Sequence, residues 1–399
     1  MQTSRRRVLQ GGWLASLASF LPGCAAAPSK KPTVYERLGL RPVVNFRGTM
    51  TTLGASKQWQ ECFEAQAEAA SEFIVLEELQ EAIGERLAKL CGTEYAMVST
   101  GTAGAIAIGT YACVAGDDPK NIRQLPNLEG MKDEVIIQKV HRISYDHAVR
   151  GAGVKIVEVE TADEMRAAIN PKTAMIYCLP GNNDDNEWGD WIQLPEMVAI
   201  AKPAGVPILA DCANCLPPWG NIPKIAATGI DLLALSGGKH MRGPQSAGIL
   251  AGDKELIRKA GLNSSPHSDS QGRPMKVGRE EMVALWTACE KYAALDFEAI
   301  DRENSRQADY LIENLGKIPG LRAEKLQSER IRKMHRLGVS WDEEKIGKTK
   351  QQVEQELMEG EPRIAVAGGY GHHLVFCCFM NESGEEQIVV DRMKQIFKA

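Results

Sequence analysis

The chain carries no excess of positive charge. Its 47 Lys and Arg stand against 52 Asp and Glu, a formal net charge of −5, which leaves no basic footprint for nucleic acid. No internal repeat is visible, and after residue 24 no run is long and apolar enough to span a bilayer. Cys212 and Cys215 form a C-x-x-C, yet neither a second such pair nor a histidine cluster completes a metal site. Besides Cys24 there are nine cysteines, at 62, 91, 113, 178, 212, 215, 289, 377 and 378, an odd number and mostly within apolar runs. They read first as small core residues and second, for the C-x-x-C, as a redox or disulfide pair. With 44% hydrophobic and 25% charged residues the composition is that of a globular protein, and 399 residues are many for one compact domain. A large domain with a smaller companion is expected.

The N-terminus reads as a targeting segment. Ser4-Arg5-Arg6-Arg7-Val8-Leu9 resembles a twin-arginine export motif, a modest apolar region follows from Gly11 to Leu21, and Leu21-Pro22-Gly23-Cys24 resembles a lipoprotein box. Residues 1–24 are therefore expected to be an export signal, with a lipid anchor at Cys24, and 25–33 a tether. Pro22 departs from the usual box, so ordinary cleavage near Ala25-Ala26-Ala27 stays open. The expected location is periplasmic. Unpaired cysteines in an exported protein would then have to be buried.

From Tyr95 onward strand-like and helix-like segments alternate. Tyr95–Ser99, Glu134–Val140, Lys155–Val159, Thr173–Leu179, Val206–Ala210, Asp231–Leu235 and Ala247–Ala251 are β-like runs rich in Val, Ile and Leu. Thr161-Ala-Asp-Glu opens a helix with a capping-box pattern, and Leu194–Ala201 is another helix. Such strands predict an α/β fold with a mostly parallel sheet covered on both faces. Residues 63–90 read as one amphipathic helix with Phe73, Leu76, Leu79, Ile83, Leu87 and Leu90 on its apolar face. After about residue 277 come two long helices, Glu280–Ile300 and Arg302–Leu315, and then a smaller α+β domain. Its β-like runs are Leu337–Trp341, Ile364–Ala367 and Leu374–Met380, with helices at Lys350–Leu357 and Glu385–Phe397. The division is thus 34–277 for the large domain and 278–399 for the connecting helices and small domain.

The most informative segment is Leu232 to Leu250. An apolar run breaks at Ser236-Gly237-Gly238, presents Lys239, and resumes at Ala247. Glycines beside a lysine at a strand end let a bulky ligand approach the backbone, and a lysine buried there loses basicity and becomes a nucleophile. Taken alone the segment also fits a surface loop lysine. Three other segments carry matching chemistry. Thr100-Gly101-Thr102 lies between a strand and a helix, where free backbone N–H groups favour a phosphate. Asp211 ends an apolar strand, with Asn214 one short turn on. A carboxylate there can pair with a ring nitrogen, although it also reads as a helix cap. His141 follows the strand from Glu134 and can stack on a ring, or serve packing only.

The order of these features resembles the fold-type-I pyridoxal-phosphate enzymes, the aspartate-aminotransferase-like superfamily. Within it, Ser236-Gly-Gly-Lys239 followed by Arg242-Gly-Pro-Gln-Ser-Ala-Gly is similar to the selenocysteine synthase-like branch. That branch holds L-seryl-tRNA(Sec) selenium transferase and D-glucosaminate-6-phosphate ammonia lyase-type enzymes. The segments at Arg41–Thr49, Leu87–Glu94, Val135–His147 and Gly272–Glu281 carry the resemblance further, over about residues 34–399. It implies pyridoxal 5'-phosphate on Lys239 as a Schiff base, Asp211 on the ring nitrogen and His141 stacked on the ring. It also implies that Thr100, Gly101, Thr102 and Ser236 hold the phosphate, with Asn214 beside the ring hydroxyl. Arg363 would take a substrate carboxylate, with Arg273 and Lys276 as further anion contacts across a subunit interface. A homodimer or larger assembly is implied as well.

The expected reaction begins with Lys239 removing the Cα proton of a small amino acid or amino sugar acid. Elimination, of ammonia-lyase type, or β-replacement follows by resemblance, with racemisation, transamination or cofactor binding without catalysis as alternatives. Literal selenocysteine synthesis is not expected. The catalytic body begins near Tyr35, without room for a tRNA-binding region, and the charge gives no surface for tRNA.

Overall fold

The structure is a computed structural model and describes residues 32–180, 191–326 and 331–399. The export signal and Cys24 lie outside the described residues, as does most of the tether. Met1–Pro42 and Val43–Ala399 cluster as separate units, and everything below concerns the second.

Thirteen strands run through the described residues. They are β1 (Val43–Asn45), β2 (Tyr95–Ser99), β3 (Glu134–Gln138), β4 (Lys155–Val159), β5 (Thr173–Cys178), β6 (Ile208–Asp211) and β7 (Leu232–Ser236). Then come β8 (Gly248–Gly252), β9 (Leu321–Lys325), β10 (His335–Trp341), β11 (Arg363–Ala365), β12 (Ala367–Tyr370) and β13 (His373–Cys378). The apolar runs read between Tyr95 and Ala251 all become strands of one seven-stranded sheet, ordered β2-β8-β7-β6-β5-β3-β4. β4, β3, β5, β6 and β7 are mutually parallel, and only β8 runs against its neighbours β2 and β7.

The period of two along these strands decides what each face buries. Ile136, Ile176, Ile208, Ala210, Leu233 and Ile249 fall in one core, and Ile137, Met175, Tyr177, Leu209, Leu232 and Leu250 in the other. The second core is built on the helix Gly101–Ala115, most of whose residues are buried. Gly109 lets the helix pack closely on the sheet, since a Cβ would stand 2.6 Å from Leu209 Cδ1. Thr161 caps its helix with the expected reciprocal bonds to Glu164, an arrangement worth about 1 kcal/mol.

The single helix read over 63–90 is two, Gln60–Ala70 and Leu76–Cys91. Arg279 explains the break. Its guanidinium donates to the carbonyls of Ala69 and Ala70 (2.9 and 3.1 Å), satisfying the terminal acceptors that a further turn would have used. Phe73 therefore lies on the link, 97% exposed, beneath that guanidinium at 5.7 Å, rather than on a buried face. The two later helices are Arg279–Ala293 and Phe297–Leu315, divided at Asp296, whose carboxylate caps the second.

A third core joins Phe297–Leu315, the helices Lys350–Glu359 and Glu385–Phe397, and the four-stranded antiparallel sheet β12-β13-β10-β9. β9 (Leu-Arg-Ala-Glu-Lys) was illegible in the sequence because it is a polar edge strand with one buried residue. β11 and β12 divide the run read as Ile364–Ala367. β11 pairs in parallel with β1, Arg363 opposite Val43, a contact across 320 positions that no local pattern signals. Among the described residues no helix is long and apolar enough to cross a membrane.

Candidate active site

Three strands end on one edge of the large sheet, and each delivers a polar residue there. β2 passes through Thr100 into Gly101–Ala115, β6 ends at Asp211, and β7 ends at Ser236 before the Gly237-Gly238 turn to Lys239. This is the carboxyl edge of the parallel strands, where open α/β sheets form crevices. The residues converge on one cavity of about 370 Å³, whose wall includes Thr100, Gly101, Thr102, Asp211, Asn214, Ser236 and Lys239. Seven residues singled out from sequence are thereby brought together.

The turn at Thr100 is shaped by close packing. Gly101 has φ +61°, a left-handed conformation that costs glycine little. A Cβ on Gly248 would stand 2.4 Å from the Gly101 carbonyl carbon, so β8 backs directly onto the turn. A Cβ on Gly104 would meet Thr100 Oγ1 at 2.2 Å. The first-turn N–H groups of the helix have no intrahelical acceptor. Thr102 Oγ1 is buried without a hydrogen-bond partner, which is costly unless a ligand supplies one. A helix N-terminus with an orphaned buried hydroxyl is the donor set a phosphate needs.

Asp211 is 7% exposed. Its Oδ1 accepts from the Ala213 N–H at 3.0 Å and its Oδ2 from the Tyr177 hydroxyl at 2.9 Å. Burial pushes its carboxyl above the ordinary range, while these two bonds and the Lys239 charge pull it back. The Tyr177 phenol is driven far up by burial and by the carboxylate, so it stays a donor. Lys239 Nζ donates to Asn214 Oδ1 at 3.0 Å. Burial lowers the pKa of that amine, opposed by Asp211 and Cys215. A carboxylate held for a cation, a less basic amine and a phosphate-type cradle on one wall fit a planar cofactor carrying a ring nitrogen, an aldehyde and a phosphate.

Other expected residues lie elsewhere. His141 is 1% exposed, 5.7 Å from Trp191 between ring centroids, and is not on the cavity wall. The 3-10 turn Lys139–His141 that ends β3 buries it, and Ile143, Ser144 and Tyr145 line the cavity instead. Arg363 begins β11 with Nε donating to the Met358 carbonyl at 2.9 Å, and neither it, Arg273 nor Lys276 reaches this wall. Cys212 and Cys215 are buried free thiols, and the neighbouring Cys215 together with burial pushes the Cys212 thiol well up. Among the described residues no group of three or more His, Cys, Asp or Glu is placed to hold a metal. Thr51, Gln245 and Tyr177 were missed. Tyr177 had one signal, a hydroxyl inside an otherwise apolar strand beside the strand that ends in Asp211.

The comparisons with known proteins agree with this geometry. The family model for aminotransferase class-V matches residues 146–381. The 5'-C-glycyluridine monooxygenase-decarboxylase of a Streptomyces species is 31% identical over 341 residues, 83% of each chain. The D-glucosaminate-6-phosphate ammonia lyase of Salmonella typhimurium is 29% identical over 380 residues, 92% of this chain and 98% of that one. A solved structure of D-glucosaminate-6-phosphate ammonia-lyase superposes with TM-score 0.78 at 27% identity, covering 92% of this chain and 99% of that chain. The chain belongs to the aminotransferase class-V family and is an enzyme of fold type I whose cofactor is pyridoxal 5'-phosphate.

Proposed function

We propose that the chain is a lyase that takes the Cα proton from a small amino acid or amino sugar acid, expels a β-substituent and releases ammonia. The observation that carries this is Lys239, an amine of lowered basicity on the same cavity wall as a buried carboxylate and a phosphate-type helix terminus. The near full-length likeness to D-glucosaminate-6-phosphate ammonia lyase supports the choice of elimination.

Pyridoxal phosphate, when bound, supplies an aldehyde that takes up amines and a protonated ring that draws electron density from Cα. We assign its phosphate to the first-turn N–H groups after Thr100 and to the hydroxyls of Thr100, Thr102 and Ser236. Asp211, ionised and oriented by Tyr177 and Ala213, holds the ring nitrogen protonated. Lys239 is the attachment point, and once released its neutral amine takes the proton at Cα. Asn214 holds Nζ in place between these roles and would hydrogen-bond the ring hydroxyl. His141, buried in the turn that ends β3, supports the segment that carries Ser144 and Tyr145 to the cavity wall. Arg363, with Arg273 and Lys276 from a second subunit, remains our assignment for the substrate's anionic groups.

The test is a panel of D- and L-amino acids and amino sugar acids, D-glucosaminate-6-phosphate among them, scored for ammonia and keto acid. Absence of Cα–H exchange with every member would defeat the reading in favour of cofactor binding alone. The likeness to the monooxygenase-decarboxylase favours a second reading, oxidative decarboxylation. Oxygen uptake with carbon dioxide release, in place of ammonia with keto acid, would establish it.

We infer a homodimer or larger assembly. Phe63, Phe73, Ile74 and Val75 are exposed apolar residues, and Tyr145 is both on the cavity wall and 63% exposed. Light scattering on the purified protein tests this. Export by the twin-arginine route and a lipid on Cys24 remain proposals from residues 4–24, tested by fractionation of cells carrying wild type and Arg5→Lys/Arg6→Lys.

A further inference from the structure

The wall of the active-site cavity divides by exposure. Thr102, Ile106, Leu179 and Asp211 are buried in it, whereas Thr51, Ala103, Ser144, Tyr145 and Gln245 are exposed and mark where it opens. Among the described residues the charged groups of this wall are Asp211 and Lys239, and both are assigned to the cofactor. The opening has different chemistry. Two aliphatic hydroxyls, a phenol and a carboxamide stand there, each able to donate and to accept a hydrogen bond and none carrying charge.

These four side chains come from three segments, and each is held in place. A Cβ on Gly238 would stand 2.4 Å from Gln245 Cα, so the backbone of Gln245 lies directly on the glycine before Lys239. The Ala247 N–H closes the turn around it on the Pro244 carbonyl at 3.1 Å. Gln245 Nε2 donates to the Thr51 carbonyl at 3.0 Å, which leaves the amide oxygen and a second N–H for a ligand. Thr51 opens the 3-10 turn Thr51–Leu53, and the chain after it is stitched along the lysine turn. Ser56 Oγ donates to the Gly238 carbonyl at 2.6 Å, Trp59 Nε1 to the Met241 carbonyl at 2.8 Å, and Arg242 Nε to the Lys57 carbonyl at 2.7 Å.

Ser144 and Tyr145 belong to the 3-10 turn Ser144–Asp146. Asp146 anchors that turn. It is 2% exposed, and its carboxylate accepts from Arg142 Nε at 2.5 Å and from Arg150 Nε at 2.7 Å. A buried carboxylate between two guanidinium groups is costly to break, so the two hydroxyl-bearing residues stand on a fixed base, as a recognition site requires.

We propose that Thr51 and Gln245, with Ser144 and Tyr145, are specificity-determining residues of the active site: they hydrogen-bond the hydroxyls that a substrate carries beyond Cα. The inference rests on the lyase reading above and adds which residues choose the substrate. Gln245 joins the two halves of the task, because its backbone packs on the residue before the reacting amine while its amide meets the substrate's tail. An aliphatic tail in the same place leaves these groups desolvated and unpaired, and is disfavoured for that reason.

D-Glucosaminate and D-norleucine share a six-carbon chain, an amine and a carboxylate, and differ in the hydroxyls. For Cα–H exchange in heavy water by the pyridoxal-phosphate-loaded enzyme, KM should be at least about tenfold lower for D-glucosaminate. Gln245→Leu and Tyr145→Phe should each shrink that ratio on the order of threefold or more, whereas a substitution that only loosens the fold moves both KM values together. D-Gluconate and hexanoate repeat the comparison without an amine, by calorimetric titration of the loaded enzyme, with D-gluconate expected to bind the tighter. Exchange that shows no preference for D-glucosaminate, or a ratio unchanged in both variants, overturns the proposal and leaves the lyase reading standing. Absence of exchange with every amino acid defeats the lyase reading, and the subsite then stands if D-gluconate binds more tightly than hexanoate and falls if it does not.

Discussion

The hydroxyl of Tyr177 donates to Oδ2 of Asp211 across 2.9 Å, in a part of the sheet where both residues are buried. The bond leaves the carboxylate oriented by two donors, Tyr177 and the Ala213 N–H, and lowers a pKa that burial raises. Tyr177→Phe removes one donor, so the Asp211 carboxyl titrates at higher pH. Cofactor affinity, which our assignment ties to ionised Asp211, should then be lost on acidification at a pH higher than in wild type by up to about one unit. Binding titrations of pyridoxal phosphate against pH check this; coincident curves would remove Tyr177 from the site.

The apoenzyme carries a linked prediction at Lys239. Its folded pKa lies below the ordinary 10.5 because the amine is buried. Between those values the unfolded chain holds a proton that the folded chain has released, so the stability contributed at this site rises with pH. Below the folded pKa the penalty of the buried charge is present in full. Lys239→Met removes it and should stabilise the apoenzyme by roughly 1 kcal/mol at neutral pH. The difference should shrink as pH approaches 10.5. Urea unfolding of both apoproteins across that range measures it.

The turn before the first helix gives a steric prediction. In Gly248→Ala the new Cβ would need the space of the Gly101 backbone, 2.4 Å away. Overpacking of this kind costs about 1–3 kcal/mol, and here the relief is displacement of the turn assigned to the phosphate. Cofactor Kd should rise on the order of tenfold or more, measured by dialysis of the loaded enzyme. Thr102→Val tests the same turn without a clash. It removes the orphaned hydroxyl, leaves stability unchanged or higher, and weakens the cofactor on the order of tenfold.

Much of this site was legible because its residues sit where local patterns end. Asp211, Thr100 and Lys239 each follow an apolar strand, and the seven strands were visible as Val-, Ile- and Leu-rich runs. What the sequence hid depends on contacts between distant segments. The break at Ser71–Val75 is set by Arg279, more than 200 positions away, and β1 is a strand only because β11 lies beside it. Tyr177 was hidden because its role comes from the neighbouring strand, 34 residues on. The setting of His141 was hidden as well. It ends a strand as a stacking residue would, but a tight 3-10 turn buries it, and the next residues line the cavity.

The central claim is that Lys239 carries the cofactor. Borohydride reduction of the enzyme as isolated, followed by proteolysis and mass mapping, tests it directly. The account predicts the phosphopyridoxyl group on the peptide containing Lys239 and none in Lys239→Ala. A label on any other lysine, or an unmodified Lys239 in protein that retains pyridoxal phosphate, would contradict it.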